Sequence, residues 1–398
     1  MKKYTTEVGL IKCYKACWIA DGMMVGSVDD HFKKLRPYLA ALRNRYPRSC
    51  FELMTDLTLS TGLHTTFRRL YIGIEALIKG FLLGCRRVVG FDGTFIKTKV
   101  GGMLLSAVGR DGNDGMYPIA WAVVEGENQN SWTWFLDLLF KQLNVGSGHG
   151  WTFISDQQKV CLSLYIYSTL VIAISNLKCF LFQGLLNAIS LLVPDAESRN
   201  CSRHIYQNWT VKHKGIFLKS CFYKAVRSTN EVDFQIAIRE MSFGRDGVPV
   251  SVLAAEDFNK QGPHHFCKAF FKTSSKCGTH SNNMSETFNS YIVAARRLPL
   301  IDMLERIRRL LMVRQVEKKK AAAKRTDLVT QHVRENIESM KETAARYVVK
   351  PSITDKFEVS MPLADSNRFL VDLRAGSCSC RSWELAETGH TIPDLGQS

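Results

Sequence analysis

Between Arg86 and Ser155 the chain passes through an ordered series of hydrophobic patterns, and that order limits the possible folds more than any other feature. Three β-rich runs, Val88 to Lys97, Met103 to Arg110 and Ile119 to Glu125, are separated by the turn clusters Lys99-Val100-Gly101-Gly102 and Asp111-Gly112-Asn113-Asp114-Gly115. Short β runs divided by glycine and aspartate turns predict a three-stranded antiparallel meander. Next, Trp132, Phe135, Leu136, Leu139, Phe140 and Leu143 fall on a single helical stripe, with Ser131 as the expected N-cap. A Gly146-Ser147-Gly148 gap leads to a fourth strand, Trp151 to Ser155, and then to a helix over Gly184 to Leu192 that Pro194 stops. The predicted class is α/β, and the element order is that of a ribonuclease-H-like core.

Three acids occupy telling places in that order. Asp92 lies in Val-Val-Gly-Phe-Asp-Gly-Thr-Phe, Asp156 closes Trp-Thr-Phe-Ile-Ser-Asp, and Glu286 lies in Asn-Asn-Met-Ser-Glu-Thr-Phe-Asn. Each has a plainer reading. Asp92-Gly93 is a common turn pair. Asp156 could cap a helix starting near Gln158. Glu286, three residues after Asn283, has capping-box spacing. Against this, the β pattern runs on through Phe95 and Ile96, which puts an acid inside a strand where it is disfavoured. Strand C-termini are also where α/β sheets place their sites. Three converging carboxylates repel one another unless cations sit among them, and hard oxygen ligands select Mg²⁺ or Mn²⁺. We therefore expect Asp92, Asp156 and Glu286 to serve as catalytic and metal-holding residues in phosphoryl transfer.

Outside this core the texture changes. Residues 1–85 read as a helical N-terminal region, 86–204 as the first part of the core and 205–280 as a helical insertion. Residues 281–350 read as the helix carrying the third acid plus a basic helical region, and 351–398 as a separate C-terminal region. With 398 residues and a formal net charge of +16, the economical partner is a polyanion, usually nucleic acid. Arg296, Arg297, Arg306, Arg308, Arg309, Lys318, Lys319 and Lys320 are the expected DNA-contacting surface. Lys318 to Lys320 with Lys324-Arg325 has the composition of a nuclear-import signal, and equally of a solvated helix face. The scattered cysteines suggest a reducing compartment. Cys201-Ser202-Arg203-His204 and Cys277-Gly278-Thr279-His280 share a C-x₂-H spacing that could supply four zinc ligands, whereas Cys378 and Cys380 form a C-x-C that His390 alone cannot complete.

One block departs from this pattern. Residues 160–183 are apolar apart from Lys178, long enough for a membrane span. Removing them joins Asp156-Gln157-Gln158-Lys159 to Gly184-Leu185-Leu186 as a continuous strand–turn–helix. The block starts with valine, whose codons begin GT, and ends in Phe-Gln, whose codons can end in a pyrimidine-rich stretch and CAG. We read it as a retained, translated intron. No membrane partner is expected unless 160–182 is a true span.

Taken together the motifs resemble the Mutator-like (MULE) transposases of plants. The resemblance rests on Phe91-Asp92-Gly93-Thr94-Phe95-Ile96-Lys97, Gly102 to Gly109, Tyr117 to Glu125, Glu127-Asn128 with Ser131-Trp132-Trp134-Phe135, Ile154-Ser155-Asp156, Cys201-Ser202-Arg203-His204 and Asn282 to Glu286. It implies a DDE transposase core with Asp92, Asp156 and Glu286 as the triad, and Cys201 and His204 as a C-x₂-H element beside it. It also implies a nuclear location and DNA as partner, with terminal inverted repeats as the target and homo-oligomerisation left open. The tail from Phe369 looks like the start of a SWIM zinc finger whose C-x-H half is missing, leaving Zn²⁺ at Cys378 and Cys380 with an incomplete site. The family's N-terminal recognition domain is missing too, and the 160–183 block interrupts the core, so a weakly active or inactive product is expected. The alternative is a domesticated DNA-binding regulator similar to the far-red-response factors, for which catalysis is irrelevant.

Overall fold

The computed structural model describes residues 9, 11–12, 15–16, 28–58, 64–98, 100–156, 184–244, 246–327, 329–352, 354–362 and 368–385. The proposed intron block lies outside the described residues, as does His390. Among the described residues no helix is long and apolar enough to cross a membrane.

The centre is a mixed seven-stranded sheet in the order β1-β2-β5-β4-β3-β6-β7. Its strands are β1 (Cys50–Thr58), β2 (His64–Gly73), β3 (Val88–Phe95), β4 (Met103–Arg110), β5 (Met116–Val124), β6 (Thr152–Ser155) and β7 (Glu197–Asn200). β3, β4 and β5 form the antiparallel meander, while β6 runs parallel to β3 and β7 parallel to β6. This is an α/β core with a switch from antiparallel to parallel pairing at β3.

Helices cover both faces. On one side, α2 (Glu75–Gly84), α3 (Gln129–Leu143) and α4 (residues 184–192) bury Phe81, Trp132, Phe135 and Ile189 against Val89, Phe91 and Phe153. The whole α3 stripe is buried, and its N-cap is Asn128 in place of Ser131. Asn128 Oδ1 accepts the Ser131 amide at 3.0 Å, while Ser131 Oγ accepts the Asn128 amide at 3.0 Å. On the other side, α1 (Val28–Arg45), α9 (Asn283–Tyr291) and α10 (Leu300–Ala323) pack Leu39, Phe288 and Ile307 on Val88, Leu104 and Ile154.

Two expectations need correcting. The region before residue 85 is not wholly helical, since β1 and β2 pair as a hairpin that extends the sheet beyond β5. The mixture of basic and apolar residues there suits a helix, but Thr65, Thr66, Phe67, Tyr71 and Ile72 are strand-forming types, and pairing with β5 decides the outcome. The helical stretch from Met284 to Tyr347, expected to break only near Pro299, does break there and breaks again between Ala323 and α11 (Gln331–Ala344).

The helical insertion consists of α5 (Ser202–Trp209), α6 (Ile216–Arg227), α7 (Glu231–Phe243) and α8 (Val252–Asn259) around Trp209, Phe222, Phe258 and Phe266. The C-terminal region forms a separate four-stranded sheet, β11-β10-β9-β8. These strands are β8 (Val348–Pro351), β9 (Lys356–Ser360), β10 (Arg368–Asp372) and β11 (Ser377–Cys378), followed by α12 (Ser382–Leu385). It docks on the insertion, where Thr229 Oγ1 donates to the Cys380 carbonyl at 2.6 Å and Arg381 donates to the Ala269 and Phe271 carbonyls.

Candidate active site

Strand parity places the first two acids. Side chains alternate across a sheet, so Val88, Gly90 and Asp92 share one face of β3, and Ile154 and Asp156 share the same face of β6. Because Gly90 pairs with Ile154 and Phe91 with Ser155, Asp92 in the middle of β3 comes beside Asp156, the residue just past the end of β6. Asp92 sits within β3 opposite Ser106 of β4, which removes the hairpin-turn reading.

The third acid arrives on α9. Asn282, wholly buried at its start, donates from Nδ2 to the Phe91 carbonyl at 2.9 Å and accepts from Ser285 Oγ at 2.7 Å. The N-cap of α9 is Asn282, with no side-chain cap bond, so Glu286 does not belong to a capping box. One turn beyond Glu286, Asn289 donates to Asp92 Oδ2, tying the helix to β3. Gly90 makes this docking fit. A Cβ there would collide with Asn282 Oδ1 and lie 2.8 Å from both Met284 Cε and Ser285 Oγ. Gly90→Ala is therefore expected to cost about 1–3 kcal/mol by overpacking, read from urea unfolding.

Between Asp156 and Glu286 stands His204. Its Nδ1 is 3.3 Å from Asp156 Oδ1 and its Nε2 is 3.7 Å from Glu286 Oε1. The first pair is a charge contact and not a hydrogen bond, so both atoms are buried without a hydrogen-bond partner. The neighbouring Asp156 carboxylate, followed by Cys201, pushes the imidazole up to about 10, which keeps it cationic near neutrality. Arg203 Nη1 donates to Glu286 Oε2 at 2.6 Å. β7 and α5 supply both cations, since β7 delivers Cys201 beside the end of β6 and the Cys201 amide donates to the Ser155 carbonyl at 2.9 Å.

Burial holds the Asp92 carboxyl well above its usual range, and Asp156 and then Glu127 add to the rise. Glu127 is the site residue whose role the sequence reading missed. It lies just before α3, its Oε1 accepting the Trp132 indole N–H at 3.2 Å, and its Oε2 would lie 2.7 Å from a Cβ on Gly93. Burial, opposed by the Trp132 bond and aided by Asp156, brings its carboxyl up to about 6. The sequence clues were Glu127-Asn128 among the motifs that carry the family resemblance, and Gly93, where a Cβ would press on that carboxylate.

The sign of the resulting pH effect is fixed. A folded value near 6, against an ordinary 4.5, makes folding take up a proton between them, so ionisation of Glu127 weakens the fold as pH rises through that window. Glu127→Gln is expected to melt at a higher temperature than the parent at pH 7. That advantage should vanish below about pH 4, where Glu127 is protonated in both states. Thermal melts across pH 4–8 in EDTA check this, and equal melting at pH 7 would overturn it.

Among the described residues, the one group of three potential ligands with donor atoms mutually within 4.8 Å is Asp156, Cys201 and His204. Cys277 and His280 are not in it. The Cys277 thiol donates to Thr279 Oγ1 at 3.1 Å, and His280 Nδ1 contacts Ser202 Oγ at 2.7 Å. The four-ligand C-x₂-H zinc site is therefore not assembled. Cys378 and Cys380 lie far off in the fold, on the small sheet, where their sulfurs accept the Cys380 and Ser382 amides at 3.4 Å each.

The basic surface also needs correcting. Arg296 is buried, with donors taken by Thr94 Oγ1, the Phe95 carbonyl and the Asn289 carbonyl, so it braces β3 against α9. Arg308 is held by Glu305 at 2.8 Å and by Tyr46 at 3.2 Å. Lys318 pairs with Asp111 at 3.0 Å. Arg297, Arg306, Arg309, Lys319 and Lys320 remain exposed.

Residues 88–168 match the family model described as the MULE transposase domain. The match runs from the start of β3 past Asp156, so it contains Asp92, Glu127 and Asp156 and stops short of Glu286. A MULE transposase domain implies a ribonuclease-H-like core and a transposase-related function on DNA. No curated protein matches the chain.

Proposed function

We propose that the chain is a transposase-derived protein that cuts and joins DNA phosphodiester bonds, using divalent cations held by Asp92, Asp156 and Glu286. The observation that carries this reading is the pair of acids side by side on adjacent parallel strands, Asp92 within β3 and Asp156 just past the end of β6, with burial and mutual repulsion driving Asp92 toward protonation. Such a pair is costly without a cation, and its oxygen-only donors suit Mg²⁺ or Mn²⁺. The buried Asp156 Oδ1 without a hydrogen-bond partner fits the same reading. A divalent cation here would polarise the phosphoryl oxygens and lower the pKa of an attacking hydroxyl.

In that reaction a water or 3′-hydroxyl oxygen gives up its proton and bonds to phosphorus, the bond to the departing 3′-oxygen breaks, and the departing oxygen takes up a proton. Asp92 and Asp156 would hold a cation from the sheet, and Glu286, whose carboxylate now faces Arg203 and His204, would join them from α9. Arg203 and His204 neutralise Glu286 and Asp156 until substrate enters. The nucleus as location, terminal inverted repeats as target and zinc at Cys378 and Cys380 belong to the same proposal. So does impairment by the 160–183 block, which begins four residues after Asp156, because a misplacement near 1 Å costs on the order of a hundredfold in rate.

One observation favours the second reading, a DNA-binding regulator without catalysis. The cations already facing Asp156 and Glu286 allow both acids to persist with no metal. Mn²⁺ titration by calorimetry, paired with nicking of supercoiled plasmid in Mg²⁺, separates the two. We expect Mn²⁺ binding by both the 398-residue chain and a form lacking 160–183, with faster nicking by the shortened form. Absence of Mn²⁺ binding in both would leave the regulator.

A further inference from the structure

Beside the acids lies a groove of about 630 Å³, and its lining is strongly basic. Arg110, at the end of β4, and Arg314, on α10, meet it from two elements that converge on Met116. Arg110 is paired with Met116 across β4 and β5, and Arg314 Nη2 donates to the Met116 carbonyl at 2.9 Å. The third cation, Arg203, lines the groove and also donates to Glu286 Oε2, so the groove and the acid cluster share a residue. Asp114 pairs with Arg110 and offsets part of this charge, yet Arg110 Nε is still buried without a hydrogen-bond partner. Tyr291 adds an aromatic wall, its ring anchored by a 3.1 Å bond from its hydroxyl to the Leu310 carbonyl.

Three arginines and one tyrosine around a cleft of this size have the chemistry of a single-strand channel, where guanidiniums take phosphates and an aromatic face takes a base. The volume is in the range that encloses a small ligand. It has room for a nucleotide or so of one strand and none for a duplex. The residues named from sequence as the DNA surface do not line it.

We propose that this groove binds a single DNA strand flanking the scissile phosphate, with its phosphates on Arg110, Arg203 and Arg314 and a base against Tyr291. The proposal rests on DNA being the substrate, but it concerns binding and not metal chemistry. Its test therefore uses EDTA, where cleavage is silent.

Fluorescence anisotropy with a labelled 20-mer oligothymidine, measured on the full chain over a range of salt, gives affinity and salt slope together. Arg110→Gln with Arg314→Gln is expected to weaken binding about tenfold at 50 mM salt. It should also lower the slope of log affinity against log salt by about 1.4, about 0.7 for each phosphate left without its guanidinium. Lys141→Ala, on the opposite face of the sheet, should change neither. Because the double variant removes a bond to Met116, a gain-of-charge variant guards against misfolding. Thr287→Lys, at an exposed position lining the groove, should tighten binding about threefold and raise the slope by about 0.7.

Unchanged affinity in a folded double variant overturns the proposal. So does failure of Thr287→Lys to tighten binding, or an effect confined to duplex DNA. If the groove variants behave as expected while Mn²⁺ fails to bind, the catalytic reading falls and the channel stands. If Mn²⁺ binds and the variants have no effect, only the channel falls.

Discussion

Replacing Asp92 with asparagine is expected to raise the melting temperature of the metal-free protein by a few degrees and to remove its response to Mn²⁺. The two effects share one cause. Asp92 is buried beside Asp156 and Glu127, so its negative charge is unfavourable in the fold until a cation offsets it. Asparagine keeps the shape and still accepts from Asn289 through its amide oxygen, so packing is nearly preserved. In the parent, Mn²⁺ should stabilise by binding the folded state alone, whereas the variant should melt at the same temperature with and without it. If the form lacking 160–183 nicks DNA, the same substitution should slow it beyond the roughly 10–100-fold typical of outer-sphere changes. A variant that melts lower than the parent in EDTA would mean that Asp92 is satisfied structurally, and the cluster would lose its functional meaning.

The second large effect concerns Arg199, on β7. It is 1 % exposed, yet its guanidinium is fully engaged. Nη2 pairs with Glu197 at 2.7 Å, Nη1 donates to the Cys277 carbonyl at 2.7 Å and the Thr279 carbonyl at 3.1 Å, and the plane lies 3.7 Å from the Phe271 ring centre. Arg199→Leu would leave Glu197 without its cation, though still accepting from Thr152 Oγ1 and the Lys272 amide, and would take a donor from the Cys277, Thr279 and Lys272 carbonyls. Removing one partner of a buried pair costs about 3–5 kcal/mol, so chemical denaturation should show a loss of that size. Glu197→Gln combined with Arg199→Leu should recover part of it by removing the orphaned charge. A loss below about 1 kcal/mol, the range of exposed pairs, would show that the site relaxes or hydrates. Since β7 leads directly into Cys201 and α5, a real loss should also disturb His204 and with it the electrostatics around Asp156.

The two expectations together separate fold from site. Arg199 holds the segment before α9 against the parallel edge of the sheet, and its loss should hurt stability whether or not metal is present. Asp92 should do the reverse, costing stability only where function needs the charge. A site that lowers stability in this way is what a cation-dependent centre looks like before its cation arrives.

Local pattern alone determined the meander of β3 to β5, the buried stripe of α3 and the place of Asp92 inside one strand and Asp156 at the end of another. Each follows from short β-rich runs divided by turn residues or from a period of 3.6, which need no distant partner. Tertiary structure alone decided the rest. Glu127 is an ordinary acid in the sequence and becomes a site residue only because Gly93 leaves room under its carboxylate. Arg296 looks like a DNA contact in a basic run, yet the docking of α9 on β3 buries it. The β1–β2 hairpin exists because β5 offers an edge to pair with, and His204 stands between two acids because β7 lies beside β6. Charge, burial and partnership across the fold depend on packing between segments as far as 267 residues apart, and no local period encodes them.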